Sequence, residues 1–310
     1  MMRHALLALA LTARAAAAEP FTFVALGDMP YGAPEQVYAP YAALIDAVNA
    51  AAPDLVIHVG DTKSGSTPCS DQMLDDQLGF LNRFQAAVLY TPGDNEWTDC
   101  HRKAAGKFDP LDRLAYIRRT YFADPAHSLG ARPVPVESQA AAGYPENARL
   151  IHKGVMFVTA HVVGSNNNFE TRDIRAVEEF MARDAANVRW LDESFRKAAE
   201  AGAAAVVVAI QADMFEFDFD EFGKEGWLRH SGFNRFGPAL QKAAAGFGGP
   251  VLLVFGDSHI HRIFRPFPQT APNVTALEVH GDRDMHATLV TVDPARPHPF
   301  SFAVIANPAM

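Results

Sequence analysis

Apolar residues along this chain come in two rhythms. Short unbroken runs read as buried strands at 21–28 (FTFVALGD), 54–61 (DLVIHVGD) and 86–94 (AAVLYTPGD). Between and after them, apolar residues recur at helical spacing over 34–53, 70–84 and 109–122. Asp109 suits the cap of the last helix, with Pro110 in its first turn. Strands separated by helices of this length predict parallel crossover units. The second half continues with adjacent strands at 148–154 and 155–163, a long helix within 173–200, a strand at 204–213 and a helix at 237–246. A further strand opens the stretch VLLVFGDSHIHRI at 251–263. The tail runs NVTALEVHG, ATLVTVD and FSFAVIA predict neighbouring β strands. The pattern predicts helices outside two sheets in one continuous domain.

The first 18 residues stand apart. Arg3 and His4 precede the apolar run Ala5–Ala13, and small residues then lead to Glu19-Pro20. This predicts a cleavable secretory signal over 1–18 and a single domain over 19–310, exported to a periplasmic or extracellular space. The apolar run is too short to span a bilayer, and no other segment predicts a membrane span. Removing 1–18 deletes Arg3 and Arg14 and no acid, taking 27 basic residues to 25 against 36 acids, a formal −11. Such an acidic chain is a poor partner for a nucleic-acid backbone, whose affinity comes mostly from Lys and Arg. Two cysteines, Cys69 and Cys100, form the even count expected of a disulfide in an exported protein.

Four of the strand-like runs share an ending: Gly27-Asp28, Gly60-Asp61, Gly93-Asp94 and Gly256-Asp257. Glycine permits a tight turn and close backbone approach. The aspartate then stands at the carboxyl edge of the sheet, where open α/β folds bind ligands. One such aspartate is ordinarily a turn residue or a helix cap. Four carboxylates at one edge repel each other unless cations neutralise them, so a metal cluster accounts for the repetition.

In order and spacing, ALGDMPYG, VIHVGDTKSG, YTPGDNEW, VVVAIQAD and VFGDSHIH resemble the motifs of the calcineurin-like metallophosphoesterases, which include the purple acid phosphatases. The resemblance runs from Phe21 to Ala306. It implies a four-layer α-β-β-α sandwich with mixed sheets and a site for one or two divalent ions at the strand ends. Asp28, Asp61 and His259 match family ligands, Asp61 at the bridging position. Asp94 stands where the family has an asparagine, Gln211 and Asp257 where it has histidines, and Pro30 where a histidine often follows the first aspartate. Asn95 replaces the histidine that assists catalysis; His261 is the nearest substitute in sequence. These changes exchange nitrogen for oxygen, which favours Mn²⁺ or Mg²⁺ over Zn²⁺, with Ca²⁺ or iron also accommodated. They also raise the site carboxylates from the family's pair to four, whose charge cancels two divalent ions and weakens the hold on phosphate. Cys69 lies eight residues beyond Asp61 and Cys100 six beyond Asp94, so a bridge would join two ligand loops.

The implied activity is hydrolysis of a small phosphate mono- or diester by metal-activated water. The alternative is a non-catalytic protein binding metal or a phosphate ligand on the same fold. A third reading makes Ser258 the nucleophile of a Gly-Asp-Ser esterase. That family sets its serine block near the N-terminus and an Asp-x-x-His block near the C-terminus. Here the serine lies late, and Asp282 and Asp284 stand four and two residues before His286. His58 and His161, inside apolar strands, read as hydrogen-bonded structural residues. The aromatic and acidic stretch 214–236 fits either a loop over the site or core packing, and GSNNN at 164–168 reads as a polar turn.

Overall fold

The computed structural model describes residues 19–216 and 230–310. The expected secretory signal lies outside them, as does most of the 214–236 stretch. Two mixed sheets form the frame. The first takes the order β12-β11-β1-β2-β3, in which β1 (Phe21–Leu26), β2 (Leu55–His58) and β3 (Ala87–Tyr90) run parallel. The antiparallel pair β11 (Ala287–Val292) and β12 (Phe300–Ile305) extends it beyond β1. The second has the order β4-β5-β6-β7-β8-β10-β9. Its parallel centre is β6 (Val155–Thr159), β7 (Ala205–Ala209), β8 (Val251–Phe255) and β10 (Val274–Glu278). Its antiparallel flanks are β4 (Glu137–Gln139) and β5 (Tyr144–His152) on one side, β9 (Arg262–Phe264) on the other.

Alternate residues of each central strand serve different layers. Phe23, Ala25, Leu55 and Ile57 face Phe157, Val207, Leu252 and Val254 between the sheets. Val24, Leu26, Val56 and Val88 instead meet α1 (Pro34–Ala51), α2 (Asp71–Leu81) and α3 (Pro110–Thr120). On the far side Val206, Val208, Val251 and Leu253 pack under α5 (Ile174–Glu200) and α6 (Phe236–Phe247). Burial on both faces is why these strands read as unbroken apolar runs. The four-layer expectation therefore holds. The Asp109 side chain caps α3 as expected, accepting the amides of Leu111 and Asp112 at 2.9 and 3.3 Å. Among the described residues no helix is long and apolar enough to cross a membrane.

Two expectations change. Only two of the three tail strands are neighbours: β11 and β12 pair at the edge of the first sheet, while β10, buried at all but one residue, enters the second sheet between β8 and β9. Their alternating or open burial patterns suit that edge; the apolar count alone did not separate the two cases. The strand expected over 155–163 ends at Thr159, although Ala160 and Val162 still exchange backbone hydrogen bonds with Ala209, Gln211 and Ala212. Cys69 and Cys100 are joined, their Cα atoms 5.7 Å apart, tying the chain after β2 to the chain after β3.

Intact mass before and after reduction and alkylation checks this bond. Protein recovered from an oxidising compartment should show no alkylatable thiol, and replacing both cysteines by serine should cost about 2–4 kcal/mol of stability. Two free thiols would contradict it.

Candidate metal centre

Each of the four Gly-Asp pairs lies just past the carboxyl end of a parallel strand: β1, β2 and β3 of one sheet, β8 of the other. The two sheet edges thus converge on one place. The glycines matter there less for turning than for what they leave out. A side chain on Gly256 would collide with the Asp28 carboxylate, and one on Gly93 with that of Asp61. Gly164 makes the same room for Asp257, whose Oδ1 would lie 2.5 Å from an added Cβ. Asp28, Asp61 and Asp257 also hold left-handed backbone, at φ 53°, 53° and 84°. Such conformations cost roughly 1–2 kcal/mol each outside glycine and cluster where function holds them in place. His58 helps shape one of these turns, its Nδ1 accepting the Gly60 N–H at 3.2 Å.

Asp61, Asp94 and Asp257 each present a carboxylate oxygen, and the three lie within 4.8 Å of one another. Asp61 accepts from the Asn95 amide N–H at 3.1 Å, the Asn95 side chain at 2.6 Å and the Tyr31 hydroxyl at 2.8 Å. Asp94 accepts from the Ser165 hydroxyl at 2.6 Å. Asp257 accepts from the Gln211 side chain at 3.1 Å and the Asp213 amide at 3.3 Å. Asp28 stands behind, fully buried, with the Asp257 N–H 3.0 and 3.2 Å from its two oxygens. Burial raises the Asp28, Asp61 and Asp257 carboxyls well above their ordinary range, and the neighbouring carboxylates raise them further. A divalent cation would remove that repulsion. The donor set is all oxygen, so the residues fit a hard ion.

The remaining selected residues divide. Gln211 is in the cluster, but as a donor: its Oε1 accepts the Gly164 N–H at 2.6 Å and its amide nitrogen faces the carboxylates. Asn95 also donates, to Asp61 and, at 2.7 Å, to the Tyr31 oxygen. His259 is not one of the three converging groups; its Nδ1 meets Asp282 Oδ1 at 3.0 Å, and its ring lies edge-on to Tyr31 at 5.1 Å. His261 bonds the Glu278 carbonyl at 2.9 Å and stacks on His280 at 3.9 Å. Ser258 Oγ sits 2.6 Å from Asp213 and 2.7 Å from Glu278, and Arg262 pairs with both acids. The partners of that hydroxyl are carboxylates and not an imidazole, so the esterase reading lacks its base. His58 and His161 are structural as expected, partnered by Tyr41 at 3.1 Å and Glu146 at 2.9 Å. Of the 214–236 aromatics, Phe215 packs on Phe255, Phe264 and Phe267.

Sequence reasoning missed Tyr31, Lys63, Asp99 and Ser165. Tyr31 and Lys63 follow Gly-Asp pairs by three and two residues, which is the available signal. Lys63 is buried beside the acids, its pKa lowered by burial against the pull of Glu96 and Asp61. Asp99 is pushed up to about 7 by burial and by Asp94. GSNNN proves more than a turn. Residues 165–168 all have positive φ, and Gly164–Asn167 form α4, a left-handed turn over the site. The buried Arg183 pins it, donating to Asn167 Oδ1 at 2.6 Å and to the His161 carbonyl at 2.7 Å. A cleft of about 630 Å³ opens beside it, lined by Arg102, Ser165, Phe169, Asp213, Phe233 and Asp257, among others.

The raised carboxyls set a pH dependence for protein stripped of metal. Their folded-state pKa values exceed the unfolded 3.8, so their contribution to stability is intact below that value and is lost as pH rises through the raised values. His58, His161 and His280, whose pKa values burial lowers, act in the opposite sense, so the comparison is with Asp61→Asn: in EDTA the melting temperature of the native chain should fall relative to that variant as pH rises above about 5, and Mn²⁺ should oppose the fall. A difference between the two proteins that does not change with pH, or changes in the other direction, would contradict this electrostatic picture.

No family model matches the sequence, and no curated protein matches it. Among solved structures, the chain superposes on a purple acid phosphatase from yellow lupin (Lupinus luteus) seeds with a TM-score of 0.54 at 11% identity. The match covers 93% of this chain and 54% of that one, so the chain spans about half the length of the lupin protein. TT1561 of Thermus thermophilus superposes at a TM-score of 0.46 and 7% identity, covering 92% of this chain and 99% of that one, too loosely to carry an argument. At these identities the likeness concerns architecture: this chain has the two-sheet sandwich fold of a purple acid phosphatase.

Proposed function

We propose that this protein is an exported, metal-dependent phosphoesterase acting on a small phosphate mono- or diester. The observation that carries this reading is the convergence of Asp61, Asp94 and Asp257 where two sheets end. Asp61, Asp94 and Asp257 would hold the ion, and Asp28 would fix the backbone of Asp257. His259, whose Nδ1 meets Asp282, stands outside the three converging carboxylates, so the ion would be held by oxygen alone. A bound divalent ion would supply Lewis acidity and lower the pKa of a coordinated water. The disulfide suits the oxidising compartment that export implies.

The chain's own groups set the limits of the reaction. Asn95 and Gln211 donate hydrogen bonds into the cluster and transfer no proton at neutral pH. Neither of them can then serve as general acid to the leaving oxygen. That same observation favours the second reading, a non-catalytic protein that binds metal or a phosphate ligand.

Two measurements test the assignment. Asp61→Asn, folded and purified alongside the native chain, should lose most of its Mn²⁺ by elemental analysis, because three donors already crowd that carboxylate and its charge is what favours the ion. Unchanged metal content would remove the basis of the site. In turnover assays Mn²⁺ or Mg²⁺ should outperform Zn²⁺, and nitrophenyl esters should outrun alkyl phosphates by more than leaving-group acidity gives an acid-assisted enzyme, since general-acid help is worth about 10²–10⁴-fold. Rapid alkyl-ester hydrolysis with Zn²⁺ would contradict the account, and no turnover with any metal would favour the binding protein.

A further inference from the structure

The carboxylate cluster repels the substrate it is proposed to take, so an anionic ester needs a cation beside the ion. Lys63 lies close but is sealed: it is 1% exposed and its Nζ donates to the Ser64 carbonyl at 3.1 Å. Arg172 lines the cleft too, yet it is bound through two nitrogens to Glu170 and its side chain is 86% exposed. Arg102 is placed differently. Its Nη1 lies 2.6 Å from Oδ2 of the buried Asp99, and its Nη2 lies 3.4 Å from Ser165 Oγ. Ser165 in turn bonds Asp99 at 2.9 Å and Asp94 at 2.6 Å, so the guanidinium is oriented by groups that also orient a cluster carboxylate. Gly65 confirms the proximity to Asn95. A Cβ there would stand 2.6 Å from Asn95 Oδ1 and 2.8 Å from Arg102 Nη1, so both head groups flank its bare face.

We propose that Arg102 is the oxyanion anchor of this site, binding the phosphoryl group of an ester in the cleft beside Asn95. A guanidinium carries five N–H donors; among the described residues Asp99 and Ser165 engage two, which leaves three in a planar fork suited to phosphate oxygens. The charge is permanent and the side chain half-exposed, so it reaches the cleft without opening the fold. The role rests on the phosphoesterase reading for its substrate class, a tetrahedral oxyanion, and no further.

Calorimetric titration of inorganic phosphate into Mn²⁺-loaded protein tests it, with the metal content of each variant measured alongside. Arg102→Ala should bind phosphate roughly 10- to 100-fold more weakly at unchanged metal content, with a lower melting temperature from the lost Asp99 pair, and Arg102→Lys should recover part of both losses. With a turned-over ester, KM should rise more than kcat falls. Unchanged phosphate affinity in Arg102→Ala, or loss of its metal, would overturn the proposal. If the native protein binds phosphate but hydrolyses no ester, the phosphoesterase reading fails while the Arg102 comparison still decides the anchor. If it binds no phosphate with metal present, both fail.

Discussion

Mutual repulsion among buried carboxylates is the constraint around which this structure is arranged. Asp28, Asp61, Asp94 and Asp257 meet where two sheets end, and Glu96 and Asp99 add to the charge from the loop after β3. In water such groups would stay apart. Here Lys63 and Arg102 oppose only part of the charge, and burial raises the cost of what is left. A divalent cation would resolve the conflict, and the hydrogen bonds from Asn95, Gln211 and Ser165 hold the carboxylates of Asp61, Asp257 and Asp94 in place.

The fold supports that arrangement at a conformational cost. Three of the aspartates hold left-handed backbone, as do four consecutive residues of the turn beside them. Arg183 anchors that turn from below through the Asn167 side chain and the His161 carbonyl. The disulfide ties the chain after β2 to the chain after β3, and so braces the segments that follow Asp61 and Asp94. Around this strained centre the packing is ordinary: three apolar layers in which alternate strand residues face opposite ways.

Much of the frame could be read from sequence because both-face burial writes itself as unbroken Val, Ile, Leu and Phe runs. The tail resisted because strand-like runs do not say which sheet they join; β10 and β11 differ only in how evenly their buried positions alternate. The Gly-Asp repeat exposed the carboxylates, and at Gly93 and Gly256 the bare α-carbon is required by the carboxylates of Asp61 and Asp28. Side-chain direction was less legible. Gln211 reads as a ligand in sequence but turns its oxygen to Gly164, and His261 packs on His280, both set by backbone geometry that one-dimensional spacing does not carry. Tyr31, Lys63 and Ser165 escaped because no periodicity marks a residue just past a turn.

Anomalous diffraction from crystals of this protein soaked in Mn²⁺ tests the central claim most directly. The account predicts a strong peak within bonding distance of Asp61, Asp94 and Asp257, held with oxygen ligands. A fully soaked crystal with no peak there, or with manganese bound only elsewhere on the surface, would contradict it.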